Sequence, residues 1–252
     1  MYTINKKDKN FYDKYGYLLI KKFFNQKDII KFKSKILKYK KSNLNNKVYK
    51  YYEKSILDKK KQVLVRIENL YENDKTIKNL INSKTLKNNL KKLLSSDAVL
   101  FKEKINLKSP GTRADKLHQD SQAGWSKYAK EFVSVIISLE DSNKHNSPLE
   151  VDISGRNHKK LINKKQKPLE IKELKKPKMK KIELKIKDAL FFNSFIPHRS
   201  KSNKSTQGRM QLYITFNKKR DGNFRKIYLK DKLKNFPPNN LRDHNKKYFY
   251  KV

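Results

Sequence analysis

The hydrophobic pattern changes character part-way along the chain. In QKDIIKFKSKILKYKK the apolar residues Ile29, Ile30, Phe32, Ile36 and Leu37 recur at the spacing of an amphipathic helix. A second helical block is predicted from about Asp74 to Leu94. There Ile77, Leu80 and Ile81 form one stripe, and Leu86, Leu90, Leu93 and Leu94 continue it after a candidate cap at Ser83. Between Ala98 and Asn217 the apolar runs shorten and alternate, in VLFKEKINLK, FVSVIISLED, PLEVDIS, KIELKIKDALFFNS and RMQLYITFN, which is the two-residue period of strands. Helices followed by antiparallel strands predict an α+β, mainly β architecture: a sandwich or jelly roll with N-terminal helices packed on one face. The segment from DGNFRK onward shows neither period and reads as an irregular tail over the β body. No repeat or Pro/Gly/Ser-rich linker divides the chain, so one domain is expected over 1–252. Its parts would be a helical portion to 97, a β core over 98–217 and a tail over 218–252.

Composition narrows the chemistry. With no cysteine, disulfides, thiolate zinc sites and Cys nucleophiles are excluded, so any metal must be held by His, Asp or Glu. The N-terminus lacks the apolar run of a signal peptide, and no stretch approaches the roughly 20 apolar residues of a membrane span. A soluble cytoplasmic protein is the expectation. The formal net charge of +40 raises the alternative of a basic nucleic-acid-binding protein. However, only eight of the 64 basic residues are Arg, and base readers and phosphate clamps draw on the Arg fork. Lysine is spread over every segment beside abundant Asn and Ile, as in a composition-driven solvated surface, so no specific nucleic-acid partner is expected.

Five histidines exist, and His-x-Asp in KLHQDSQAGW is by itself a weak motif. A downstream stretch, FFNSFIPHRSKSNKSTQGRM, changes its weight. Two His and one carboxylate can cap one face of an octahedral ferrous ion, leaving three positions open. His118 and Asp120, two apart on an extended segment, would project from one face, and His198 would supply the third ligand from a distant strand. Two open positions suit the keto-acid end of 2-oxoglutarate. Its far carboxylate would meet Arg209, eleven residues beyond His198, through a two-pronged salt bridge, with Ser200 as a hydrogen-bonding partner.

On these residues the chain resembles the phytanoyl-CoA dioxygenase-like branch of Fe(II)/2-oxoglutarate oxygenases, which share a double-stranded β-helix of the cupin-like, jelly-roll kind. The H-x-D, the distal His, the Ser two after it and the Arg eleven after it are all present. FYDKYGYLLIKKFF, FKEKINLKSPG, SPLEVDISGRNHKK, KDALFFNSFIPHRSKSN and FNKKRDGNFRKIYLKDKLKNFPP extend the likeness over nearly the whole chain. Departures fall at turns: Lys187 and Ser147 stand where the family usually has Gly, and Arg156-Asn157 where it has Ser. The resemblance implies an iron enzyme that hydroxylates a C–H bond while dioxygen converts 2-oxoglutarate to succinate and carbon dioxide. The acceptor would be a small molecule: 2-aminoethylphosphonate-like, a lipid or acyl-CoA, or a secondary metabolite. Halogenases of this class replace the metal carboxylate with a small residue, and Asp120 argues against that. The enzyme would act as a monomer or homodimer.

The strand FKEKINLK sets Phe101, Glu103, Ile105 and Leu107 against Lys102, Lys104 and Asn106. With the first set on the helices, the second lines the barrel mouth, where Asn106 would touch the carboxylate beside the keto carbon and Lys104 an anionic substrate. The alternative is that Lys102 and Lys104 are solvated. Trp125, the only tryptophan, is either a pocket wall or core packing, and Gln122 lies beside it as a further substrate contact. His158 reads as a structural hydrogen-bonder in its turn, and His145 and His244 as surface residues.

Overall fold

The computed structural model describes residues 2–42, 47–243 and 245–248. Among them eleven strands form two antiparallel sheets. The larger sheet runs, in spatial order, β1 (Tyr17–Ile20), β9 (Ala189–Asn193), β6 (Phe132–Ser138), β11 (Met210–Lys218), β4 (Ala98–Leu107), β3 (Gln62–Glu68) and β2 (Tyr49–Lys54). The smaller sheet runs β5 (Asp115–His118), β10 (His198–Ser200), β7 (Leu149–Asp152) and β8 (Met179–Ile182). This is the expected jelly roll. Alternation along the strands decides what each face meets. Leu212, Ile214 and Phe216 of β11, Val133, Val135 and Ile137 of β6, and Phe191 of β9 pack outward on the helices. Ile136, Leu190, Phe192 and Tyr213 face inward against Leu149, Val151, Ile182 and Leu184. That apolar filling occupies one end of the sandwich, and polar side chains take the other.

Four helices cover the outer face: α1 (Lys6–Tyr15), α2 (Gln26–Lys41), α3 (Lys75–Ile81) and α4 (Lys84–Leu94). Their starts follow capping chemistry. Asn5 and Asp8 form a capping box on α1, Asn25 caps α2, and the Asp74 carboxylate accepts from the Thr76 and Ile77 amides of α3. Ser83 stands at the N-cap of α4 as expected, but its side chain makes no capping bond. The α2 stripe is narrower than its sequence suggests: Ile29, Phe32 and Ile36 are buried, while Ile30 and Leu37 face solvent.

Three expectations need correction. The N-terminal portion is not wholly helical, because β1 joins one edge of the large sheet and β2 and β3 extend the other. The segment beyond Asn217 is not irregular: α5 (Arg225–Asn235) lies in it. This helix has no apolar stripe for periodicity to reveal, since ion pairs hold it. Arg225 bonds Glu103 at 2.6 Å and Glu72 at 3.0 Å, and Lys232 bonds Glu68. Finally, Phe101 leaves the helix-facing set because the β4–β11 register slips there, Thr215 lying opposite Lys102 but Phe216 opposite Leu100. Phe101 packs instead with Trp125, Phe132, Tyr128 and Tyr228.

Both turn positions where Gly was expected keep a left-handed backbone, Ser147 at φ 58° and Lys187 at φ 81°. His158 is structural but bonds outside its own turn. Its ring packs on Gly16, where a Cβ would approach it to 2.6 Å, and its Nε2 lies 3.3 Å from the Asp13 carbonyl. His145 is exposed, and His244 lies outside the described residues.

Candidate active site

The small sheet brings the two predicted histidines together. In the antiparallel β5–β10 pair, His198 lies directly opposite His118. The extended backbone continues only through Gln119. Asp120 opens a 3-10 turn, Asp120–Ala123, started by a capping box between Gln119 and Gln122. Even so, one ligand atom from each of His118, Asp120 and His198 falls within 4.8 Å of the others.

Each imidazole is held by its own strand. The His118 Nδ1 lies 2.7 Å from the Lys116 carbonyl and the His198 Nδ1 3.0 Å from the Ile196 carbonyl. Donating there fixes the tautomer and leaves both Nε2 lone pairs for a metal. Burial, then repulsion from His198, lowers the pKa of His118 to about 4, so its ring is neutral at physiological pH. For Asp120, burial works towards protonation, but His198, Lys102 and Lys104 outweigh it and hold the carboxyl below its ordinary range. Two imidazoles and one carboxylate suit a divalent iron ion with an open face.

Two cavities meet at this cluster, both bordered by His118 and Asp120. The first, of about 430 Å³, reaches Asn106 and Arg209. Arg209 is 3% exposed, and its Nε and Nη2 donate to the Ser147 carbonyl at 3.1 and 2.9 Å while Nη1 donates to Gln211. Two of the five guanidinium N–H groups remain for a carboxylate. Asn106 faces the same space, paired across the sheet with Gln211. Ser200 is engaged elsewhere: its hydroxyl donates to Asp115 at 2.6 Å, and Lys108 donates to the same oxygen at 2.9 Å. Burial opposes the charge on Asp115, but Lys108 and the Ser200 hydroxyl overcome it and hold the carboxyl far below the usual range.

The second cavity, of about 210 Å³, lies under α5 and is bordered by Lys102, Lys104, Trp125, Tyr228, Asp231 and Lys232, among others. Trp125 is both wall and core, bordering the cavity and packing edge-on against Phe101 and Phe132. Neither lysine is fully solvated, and burial followed by repulsion from Lys104 pushes Lys102 well below the ordinary lysine range. Gln122 borders neither cavity. Its amide accepts from the Gln119 backbone and donates to the Lys165 and Lys167 carbonyls, so it ties loops together. Reading the sequence missed Gln119, a fully buried residue that fastens the H-x-D turn to the Asn157, Lys160 and Phe195 carbonyls. It also missed Lys108, Asp115 and the whole α5 wall. Only the DG and PP dipeptides flanking α5 could have flagged that helix.

A jelly roll with a His-Asp-His cluster at the mouth, joined to a buried arginine, defines a non-haem iron oxygenase. The chain belongs to the family described as Phytanoyl-CoA dioxygenase (PhyH), whose model matches residues 12–211. It is accordingly an iron- and 2-oxoglutarate-dependent dioxygenase. It is 34% identical over 200 residues to a 2-aminoethylphosphonate dioxygenase of uncultured bacterium HF130_AEPn_1, covering 79% of this chain and 76% of that one. It is 29% identical over 144 residues to a methylphosphonate hydroxylase of Gimesia maris, covering 57% and 55%. The fold matches EctD from S. alaskensis, solved with 2-oxoglutarate and 5-hydroxyectoine, at TM-score 0.72 and 14% identity over 86% of this chain and 77% of that one. It also matches the epimerase SnoN from nogalamycin biosynthesis at TM-score 0.65 and 12% identity over 84% and 82%. The nucleic-acid alternative gains no support from these matches. No helix among the described residues is long and apolar enough to cross a membrane.

Proposed function

We propose that this dioxygenase hydroxylates a C–H bond of a small anionic molecule of the phosphonate class. His118, Asp120 and His198 are the metal ligands in this reading. Arg209 and Asn106 receive 2-oxoglutarate in the first cavity, and the second cavity receives the substrate. The observation that carries it is that both cavities border His118 and Asp120, so cosubstrate and substrate approach one centre from different sides. When bound there, iron with 2-oxoglutarate and dioxygen supplies the oxidation that adds one oxygen atom to the C–H bond and the other to succinate, with loss of carbon dioxide.

The residues of this chain do the rest. The Lys116 and Ile196 carbonyls orient the ring nitrogens, Arg209 fixes the cosubstrate's direction, and the aromatic wall of Trp125, Tyr128 and Tyr228 excludes water. A space of about 210 Å³ beside the cluster suits a molecule of a few heavy atoms. The phosphonate-acting relatives point the same way.

The experiment is succinate release from the iron-loaded enzyme against a panel of 2-aminoethylphosphonate, methylphosphonate, neutral amino alcohols and an acyl-CoA. Phosphonates should stimulate release, and Asp120→Ala should abolish it while leaving the circular dichroism spectrum intact. Stronger stimulation by the acyl-CoA would refute the small-anion reading, and parental turnover in Asp120→Ala would refute the ligand set.

A further inference from the structure

The second cavity carries positive charge that its own carboxylates do not balance. Apart from Asp120, its acids are Glu68 and Asp231, and both are taken. Lys232 and Arg66 bond Glu68, and Lys127 bonds Asp231, which also accepts from the Tyr128 hydroxyl at 2.6 Å. Lys102 and Lys104 have neither a hydrogen bond nor an ion pair among the described residues. Aromatic faces hold them instead. The Lys102 Nζ sits 3.8 Å from the Trp125 ring centroid and 5.9 Å from that of Tyr228, and the Lys104 Nζ sits 5.0 Å from that of Tyr213. The two are alternate residues of β4, so both project to the same face of the sheet, beside the metal cluster.

We propose that Lys102 and Lys104 form a subsite for a doubly charged tetrahedral –PO3 group, and that Lys102 sets the preference for it over a carboxylate on the same skeleton. The proposal rests on the hydroxylase reading only in taking this cavity as the substrate's. The physical argument is one of charge count and geometry. A dianion offers three oxygens, enough to meet each lysine separately, and twice the charge of a carboxylate to favour the ammonium form of Lys102 that burial and Lys104 disfavour. Both lysines are partly buried and neither is in a direct ion pair among the described residues, so an arriving dianion breaks no existing pair. Lys102 is the more closely held by an aromatic face, at 3.8 Å from the indole against 5.0 Å for Lys104 from its phenol ring.

Trp125, as the sole tryptophan, reports on this subsite without any turnover. Methylphosphonate, inorganic phosphate and acetate would be titrated into the anaerobic enzyme loaded with iron and 2-oxoglutarate, in buffer above the second ionisation of the phosphonate, while tryptophan emission is followed. Methylphosphonate and phosphate should saturate at least about tenfold tighter than acetate. Lys102→Met, which preserves bulk over the indole, should weaken both phosphorus anions by about tenfold or more and acetate by less than about threefold. Lys102→Arg should keep the preference. If Lys102→Met does not fold, Lys104→Met carries the same test with a smaller expected loss. Equal affinities for methylphosphonate and acetate in the parent, or an unchanged preference in the methionine variant, overturn the proposal. Tight phosphonate binding without phosphonate-stimulated succinate release upholds the subsite and refutes the phosphonate as substrate. Succinate release on a neutral substrate with no emission response to phosphonate refutes the subsite and leaves the hydroxylase standing.

Discussion

Replacing Arg209 by Ala tests the cosubstrate end of the site most directly. The guanidinium is 3% exposed and is aimed by three hydrogen bonds, two to the Ser147 carbonyl and one to Gln211. A carboxylate of 2-oxoglutarate docking on its two remaining N–H groups would be almost fully removed from water. Removing the cation strands that carboxylate, and the loss of one partner from a buried pair costs about 3 kcal/mol or more, roughly a hundredfold in affinity. Arg209→Lys keeps the charge but cannot reach the carboxylate and the Ser147 carbonyl together, so a loss of about tenfold is expected. Gln211→Leu leaves the charge but frees one arm of the fork and should cost about 1 kcal/mol. Ser200→Ala acts through Asp115 and Lys108, and a comparable or smaller loss is expected. The assay is anaerobic titration of 2-oxoglutarate against the visible charge-transfer absorption of the ferrous enzyme, with thermal melting to confirm folding, since Arg209→Ala also removes two bonds from the Ser147 turn. Parental 2-oxoglutarate affinity in a folded Arg209→Ala enzyme would refute the assignment even if iron still bound.

Three further outcomes are expected. Lys187→Gly should stabilise the protein by about 0.5–1 kcal/mol in urea unfolding, because an L side chain at φ 81° carries a steric cost that glycine lacks. Arg225→Met leaves Glu103, whose side chain is 1% exposed, with only the Leu70 and Tyr71 amides as partners, and should cost about 3 kcal/mol while loosening α5; an unchanged urea midpoint would show that the pair contributes nothing. The metal-free protein should lose stability as pH falls from about 6.5 to 4. His118 is depressed to about 4 in the fold, so the unfolded chain takes up its proton first, and His158 is shifted in the same direction. The contribution of His118 is fully present above its unfolded value and amounts to roughly 3 kcal/mol at most, and His118→Gln should flatten that part of the pH profile.

The sequence alone determined the class. Two-residue alternation over Ala98–Asn217 specifies inward and outward faces whatever the strand order; it predicted a sandwich or jelly roll, and the family resemblance chose the jelly roll. The motif of His118, Asp120, His198 and Arg209 was legible as a set that the fold does place around one cavity, although Asp120 reaches it from a 3-10 turn and not from the strand face that the spacing implied. Its failures share one cause, which is that interactions between distant segments leave no local period. α5 was invisible because Glu68 and Glu103, more than a hundred residues upstream, hold it by charge and no apolar stripe is needed. Ser200 was assigned to the cosubstrate because its position in the strand is right, but only the three-dimensional packing delivers Asp115 to its hydroxyl. Gln122, close in sequence to His118, Asp120 and Trp125, is turned away by the capping box it forms with Gln119. The same packing, by closing α5 over β4, decided that Lys102 and Lys104 border a chamber beside the metal cluster. Strand alternation in FKEKINLK set Lys102 and Lys104 at the mouth but left open whether water or a chamber met them, and only the packing of α5 decided that.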